Sequence, residues 1–207
     1  MDIESGSIRP WHDDRQEVSG LDVGSTPKRA HIMGIAGAGK TTLAERAGAR
    51  LRVEHIDLDF LPLPFLNGDP QVAAAWRAEA ARIAAEPAWV TASALCGWTD
   101  PLLEAADLIV WLDTPPPIAV WRILRRHAIR SMHGTNPHKG LRLLARFLRD
   151  VMRYPGGPIA TDEQLDAGRG NSAATTRDRL GTYPDKVVRC RNNRDLDRLL
   201  SALEAKH

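Results

Sequence analysis

Cysteine is nearly absent from this chain of 207 residues: only Cys96 and Cys190 are present. They lie far apart, and neither stands at a metal-ligand or redox spacing, which excludes a disulfide scaffold or a dithiol centre. Both read as free thiols of a reducing compartment. Long apolar runs are missing too. The longest, Leu108 to Leu112, is closed by Asp113 and three prolines, far short of the roughly 20 residues that span a bilayer. The N-terminus lacks the apolar core of a signal peptide. Cytoplasm is therefore the expected compartment, with no membrane partner. Neither charge sign dominates: 28 Lys and Arg against 26 Asp and Glu give a net charge of +2, too small to imply nucleic acid by itself.

What remains is a globular composition, 43% hydrophobic and 26% charged, in a length that suits one domain with a full core. Residues 1–28 are polar, partly acidic and rich in Gly and Ser. They read as a flexible N-terminal arm with a lone Trp11, and residues 29–207 as the domain.

The stretch Gly34-Ile35-Ala36-Gly37-Ala38-Gly39-Lys40-Thr41-Thr42 organises that domain. It fits G-x-x-x-x-G-K-[ST] at every fixed position, after a short apolar run (Ala30 to Met33) and before Leu43, Ala47 and Leu51 at i, i+4, i+8. Strand, glycine loop and helix in this order form a phosphate cradle of backbone N–H groups and a helix N-terminus. Gly34, Gly37 and Gly39 let the backbone approach a phosphate, with Ala36, Ala38 and Thr42 completing the loop. Lys40 reaches the β- and γ-phosphates, and the Thr41 hydroxyl is the expected ligand of Mg²⁺. ATP and Mg²⁺ are thus the expected cofactors.

Residues 53–57 read as a second strand ending in Asp57-Leu58-Asp59. A carboxylate at a strand's carboxyl end lies near a ligand crevice. Asp57 is expected to bind the phosphate acceptor or water-mediated Mg²⁺ and to take the acceptor's proton. Capping a turn is the plainer alternative, and for Asp59 the two readings stand level. Residues 60–69 read as a loop. Pro70 to Ala85 reads as a cover helix with Trp76, Ala80 and Ile83 on one face, Trp76 serving as packing. Residues 88–93 and 107–113 are strands, the latter of the buried parallel-sheet type. Asp113 reads equally as a cap or as a neighbour of the metal. Thr99 and Thr114 are expected caps of the helices that follow them.

The helix after Thr114 carries Arg122, Arg125, Arg126 and Arg130. A loop over 131–140, with His133 and His138, leads to a second helix with Leu141, Leu144, Leu148 and Val151 on one face. Arg142, Arg146, Arg149 and Arg153 lie on the other. From Arg122 to Arg153, nine Lys and Arg against Asp150 give +8. A helix–loop–helix so basic, over about 122–153, suits a lid on nucleotide phosphates. Arg126 and Arg130, leading into the loop, are the expected catalytic arginines. A solvated basic face or binding of a nucleic-acid backbone are the alternatives, and no recognition motif supports the second. Residues 154–170 read as loop, 173–180 as a short helix and 186–190 as a fifth strand. The turn Arg191 to Arg194, before the last helix, is placed where an adenine rests, with Arg191 as its contact.

The assembled order resembles the adenylate-kinase-like P-loop kinases, and among them the bacterial DNA topology modulation (FlaR-like) group. The likeness covers about Arg29 to Leu203. It rests on Gly34–Thr42, His55-Ile56-Asp57, Gly97-Trp98-Thr99-Asp100 with Ala106 to Asp113, and Trp121-Arg122-Ile123-Leu124-Arg125-Arg126-His127. The resemblance implies a parallel five-stranded α/β/α sandwich with an arginine-rich helical lid, and phosphoryl transfer from ATP to a small molecule. A nucleoside or nucleoside monophosphate is the expected acceptor. That group carries an acidic residue and then glycine near the end of the third strand, where this chain has Ala92-Ser93. The site is then weakened, altered or reliant on Asp57. The Asp57-x-Asp59 pair also resembles that of shikimate- and gluconate-type kinases, which makes a hydroxylated metabolite the rival acceptor. A nucleotide-binding protein without catalysis, using its basic helices on a partner, is the rival from outside the enzymes.

Overall fold

A computed structural model describes residues 26–64, 68–95, 97–133 and 140–204. The expectations for Trp11, Cys96, His138 and nearly all of the N-terminal arm lie outside them. The strands are β1 (Arg29–Gly34), β2 (His55–Asp57), β3 (Trp89–Ser93), β4 (Leu108–Leu112) and β5 (Val187–Cys190). They form one sheet in the order β2-β3-β1-β4-β5, every pairing parallel. The helices are α1 (Lys40–Leu51), α2 (Pro70–Ala84), α3 (Asp100–Ala105), α4 (Pro116–Met132), α5 (Leu141–Arg153), α6 (Asp162–Asp166), α7 (Ala173–Leu180) and α8 (Asn193–Glu204).

Burial of the sheet on both faces explains why the strands read as continuous apolar runs. Successive side chains alternate between two cores. Ala30, Ile32, Val90, Val110 and Val188 pack with Leu43 and Ala47 of α1 and Leu199 and Leu203 of α8. Met33, Trp89, Ile109 and Trp111 pack with Trp76 and Ile83 of α2 and Leu102 of α3. The result is the expected three-layer α/β/α sandwich. Trp76 is packing, as expected: it is buried, its ring lies 4.7 Å from that of Trp98, and its Nε1–H donates to the Pro64 carbonyl at 2.8 Å.

Three local expectations need correction. Thr114 does not cap α4. The helix starts at Pro116, and the Thr114 hydroxyl donates to the Ala38 carbonyl at 3.4 Å. Prolines 115–117 have no N–H to cap, so the hydroxyl is released for another partner. Thr99 precedes α3 but makes no side-chain cap. The span 154–170 is not all loop, for it holds a 3₁₀ turn and α6. Thr161 and Gln164 open α6 with a reciprocal capping box, which ties both ends of the first turn.

Candidate phosphate-binding site

The phosphate loop leaves β1 at the centre of the sheet, between β3 and β4, where an open α/β sheet presents its ligand crevice. Gly37 and Gly39 have φ of +80° and +102°, in the left-handed region that glycine tolerates. At Gly37 the need is doubled: a Cβ there would fall 2.6 Å from the Ala119 carbonyl of α4. A Cβ at Gly34 would fall 2.7 Å from the Leu112 carbonyl. These two glycines therefore answer to the neighbouring helix and strand, where the sequence had suggested an approaching phosphate. Ala38 is buried, its N–H donating to Ile35 at 3.1 Å. Ala36 is half-buried and Thr42 exposed in the first turn of α1.

Gly39 stands at the N-cap of α1 and offers no side-chain cap. The positive end of the helix dipole and its first N–H groups are thus left for an external anion. Lys40 is only 8% exposed, and its Nζ donates to the Ile35 carbonyl across the loop at 3.3 Å. Its positive charge acts on the Asp59 carboxyl nearby and on His31 behind the loop.

The next residue, Thr41, joins the loop to β2. Its hydroxyl donates to Asp57 Oδ2 at 2.6 Å, while Asp57 Oδ1 accepts from the Asp59 N–H at 3.1 Å. One Asp57 oxygen thus caps the 3₁₀ turn after β2, as the plainer sequence reading expected, and the other accepts from the residue that follows the loop lysine. Asp59 is placed in the same group. Its carboxyl pKa is raised, chiefly by desolvation; Lys40 opposes the shift and Asp57 adds to it. Among the described residues no cluster of three or more His, Cys, Asp or Glu is placed to hold a metal alone. A Mg²⁺ site of this kind needs no such cluster, since phosphate oxygens and water fill most positions. The Thr41 hydroxyl, backed by Asp57, fits that role.

A guanidinium bound to the loop belongs to Arg122, which the sequence did not single out as catalytic. Its Nη1 donates to the Ala38 carbonyl at 2.9 Å and lies 3.5 Å from that of Gly37. The available signal was its place beside Ala119 and Ile123, the buried stripe of α4. Arg126 and Arg130 lie further along α4 and are exposed; at 1.5 Å per residue they are about 6 and 12 Å beyond Arg122. Arg191 follows β5, its N–H donating to Asp195 Oδ2 at 2.8 Å and its Nε 4.0 Å from Asp113 Oδ2. Asp113 itself is held by Arg189 at 2.6 Å, which favours its structural reading over a place beside the metal.

Behind the loop lies a buried network that the sequence also left unnoticed. His31 on β1 is fully buried; its Nδ1 is 2.8 Å from the Thr91 hydroxyl and its Nε2 3.4 Å from that of Ser93. The Ser93 hydroxyl donates to the Ala94 carbonyl at 2.8 Å. That leaves Ser93 accepting from Nε2–H, and Thr91 donating to Nδ1. Burial, helped by the Lys40 charge, pushes the His31 pKa down to about 3. Ser93 therefore fills the end of β3 with a hydroxyl bound to the protein.

Similarity to known proteins agrees with this architecture. The structure superposes on a gluconokinase from Sinorhizobium meliloti 1021 with a TM-score of 0.50 and 16% identity, over 87% of this chain and 94% of that one. For a shikimate kinase from Bacteroides thetaiotaomicron the values are 0.51, 15%, 86% and 97%. The chain has the α/β fold of the P-loop kinases. No protein-family model matches the sequence. It is 29% identical over 100 residues to the uncharacterized protein YqaC of Bacillus subtilis (strain 168), a match that takes in 48% of this chain and 56% of that relative.

Proposed function

We propose that this protein is an ATP- and Mg²⁺-dependent small-molecule kinase. The observation that carries the reading is the 2.6 Å hydrogen bond from Thr41 to Asp57. It ties the hydroxyl after the loop lysine to a carboxylate at the end of the next strand, beside an uncapped helix N-terminus. The loop from Gly34 to Thr42 and Lys40 hold the triphosphate, and Arg122 fixes the loop against α4. Arg191, after β5, borders the adenine. The Thr41 hydroxyl would hold Mg²⁺, which when bound would neutralise charge on the phosphates. Asp57 orients the Thr41 hydroxyl and the waters around it. Asp57 also takes the acceptor's hydroxyl proton, with Asp59 beside it as the alternative carboxylate. Arg126 and Arg130 reach the transferring group when the α4–α5 pair closes as a lid.

The acceptor we favour is a nucleoside or nucleoside monophosphate. The carboxylate pair Asp57 and Asp59 also supports a hydroxylated metabolite, and the fold shared with a gluconokinase and a shikimate kinase is compatible with it. Single-turnover ATP consumption with each acceptor class discriminates the two. In that assay Asp57→Asn lowers the rate about 100-fold or more while ATP affinity changes by less than about threefold. An unchanged rate reduces Asp57 to a turn cap.

A further inference from the structure

Nine large apolar side chains are exposed among the described residues, and all but Ile159 lie on α4 or α5. Trp121, Ile129 and Met132 of α4 and Leu143, Phe147 and Met152 of α5 are each more than two-fifths exposed. The same two helices carry eight arginines against one acid, Asp150, a charge of +7. An apolar surface of this kind marks an interaction site, and its charge selects an anionic occupant. Arg122 donates to the Ala38 carbonyl of the phosphate loop and Arg126 and Arg130 are assigned to the lid, so Arg125, Arg142, Arg146, Arg149, Arg153 and the apolar side chains are not absorbed by the site already described.

One segment of the chain has the complementary chemistry. Residues 1–25 hold six acids (Asp2, Glu4, Asp13, Asp14, Glu17, Asp22) against Arg9 and Arg15, a charge of −4, interleaved with Ile3, Ile8, Trp11 and Val18. With +2 for the whole chain, residues 26–207 carry +6, which is less than the +7 of α4 and α5 alone. The acidic excess therefore resides in the arm and the basic excess in the two helices. The arm joins the fold at Thr26, just before β1. Six residues of strand separate that end of the sheet from the phosphate loop, about 20 Å, whereas 25 residues reach about 80 Å when extended. Tethering raises the arm's effective concentration to about the millimolar range, ahead of most free partners.

We propose that residues 1–25 dock on the exposed apolar and arginine-rich face of α4 and α5, with Trp11 as the apolar anchor. The docked arm covers the arginines that face outward and competes with other anions for them. The proposal rests on surface chemistry and stands apart from the kinase reading. It is tested by hydrogen–deuterium exchange on the full chain without nucleotide, so failure of the kinase reading leaves the outcome untouched. The comparison is wild type against Trp11→Ala/Asp13→Asn/Asp14→Asn/Glu17→Gln, with thermal unfolding run alongside to check that both chains are folded. Amides of residues 116–133 and 140–153 exchange about tenfold faster in the variant, with those of β1, β3 and β4 unchanged. Equal exchange in the two chains overturns the proposal. So does protection that follows protein concentration, which points to a second copy, or that arises only with phosphatidylserine vesicles, which points to a membrane.

Discussion

His31 concentrates the chemistry that a single residue contributes to this fold. Its pKa falls from 6.5 to about 3 on burial, so the unfolded chain binds the proton more tightly than the folded one. Stability is then complete above about pH 6.5 and is lost as pH falls toward 3, by about 1.4 kcal/mol per pH unit for this group. Urea unfolding between pH 7 and pH 5 checks this, with His31→Asn for comparison. The wild type loses stability more steeply than the variant, and parallel slopes contradict the assignment. The sequence disclosed the site residues unevenly, for a physical reason. Lys40, Thr41 and the glycines belong to one contiguous motif whose spacing is itself the geometry. Asp57 was legible through its strand-end position. His31 was not: Thr91 and Ser93 come from another strand, 60 and 62 residues away, and a lone histidine in an apolar run announces no partner.

At the scale of elements, α4 decides which arginine does what. Ala119 and Ile123 pack α4 into the core and bring Arg122 onto the loop carbonyls of Gly37 and Ala38. Arg126 and Arg130 are exposed further along. Arg122→Ala therefore weakens ATP binding, by about tenfold for one charge-assisted hydrogen bond. Arg126→Ala and Arg130→Ala leave affinity within about threefold but slow single-turnover transfer, an arginine in such a role being worth about 10³-fold. Calorimetry paired with single-turnover rates separates these outcomes. Equal affinity loss at all three positions contradicts the division. The elements themselves were largely legible, because apolar runs and helical periodicity are local properties. α6 was missed although Thr161 and Gln164 spell a capping box, since Gly-Pro punctuation around it outweighed five helical residues. The start of α4 was misplaced because a threonine before proline resembles a cap, while three prolines leave it little to cap.

At the scale of the whole molecule, two cores on either face of one parallel sheet carry the phosphate loop to the centre of its carboxyl edge. The sandwich was foreseeable from strands alternating with helices. The order β2-β3-β1-β4-β5 was not read from sequence, because a parallel strand's neighbours depend on crossovers that span dozens of residues. Among the described residues no helix is long and apolar enough to cross a membrane. The central claim is that this fold exists to hold a triphosphate at Lys40. Isothermal titration of MgATP into wild type and Lys40→Ala tests it most directly, with thermal unfolding run alongside. The account predicts saturable binding by the wild type and a loss of about 100-fold or more in the variant, at least about 2.7 kcal/mol, with the fold retained. Wild-type affinity in a folded Lys40→Ala chain would contradict it.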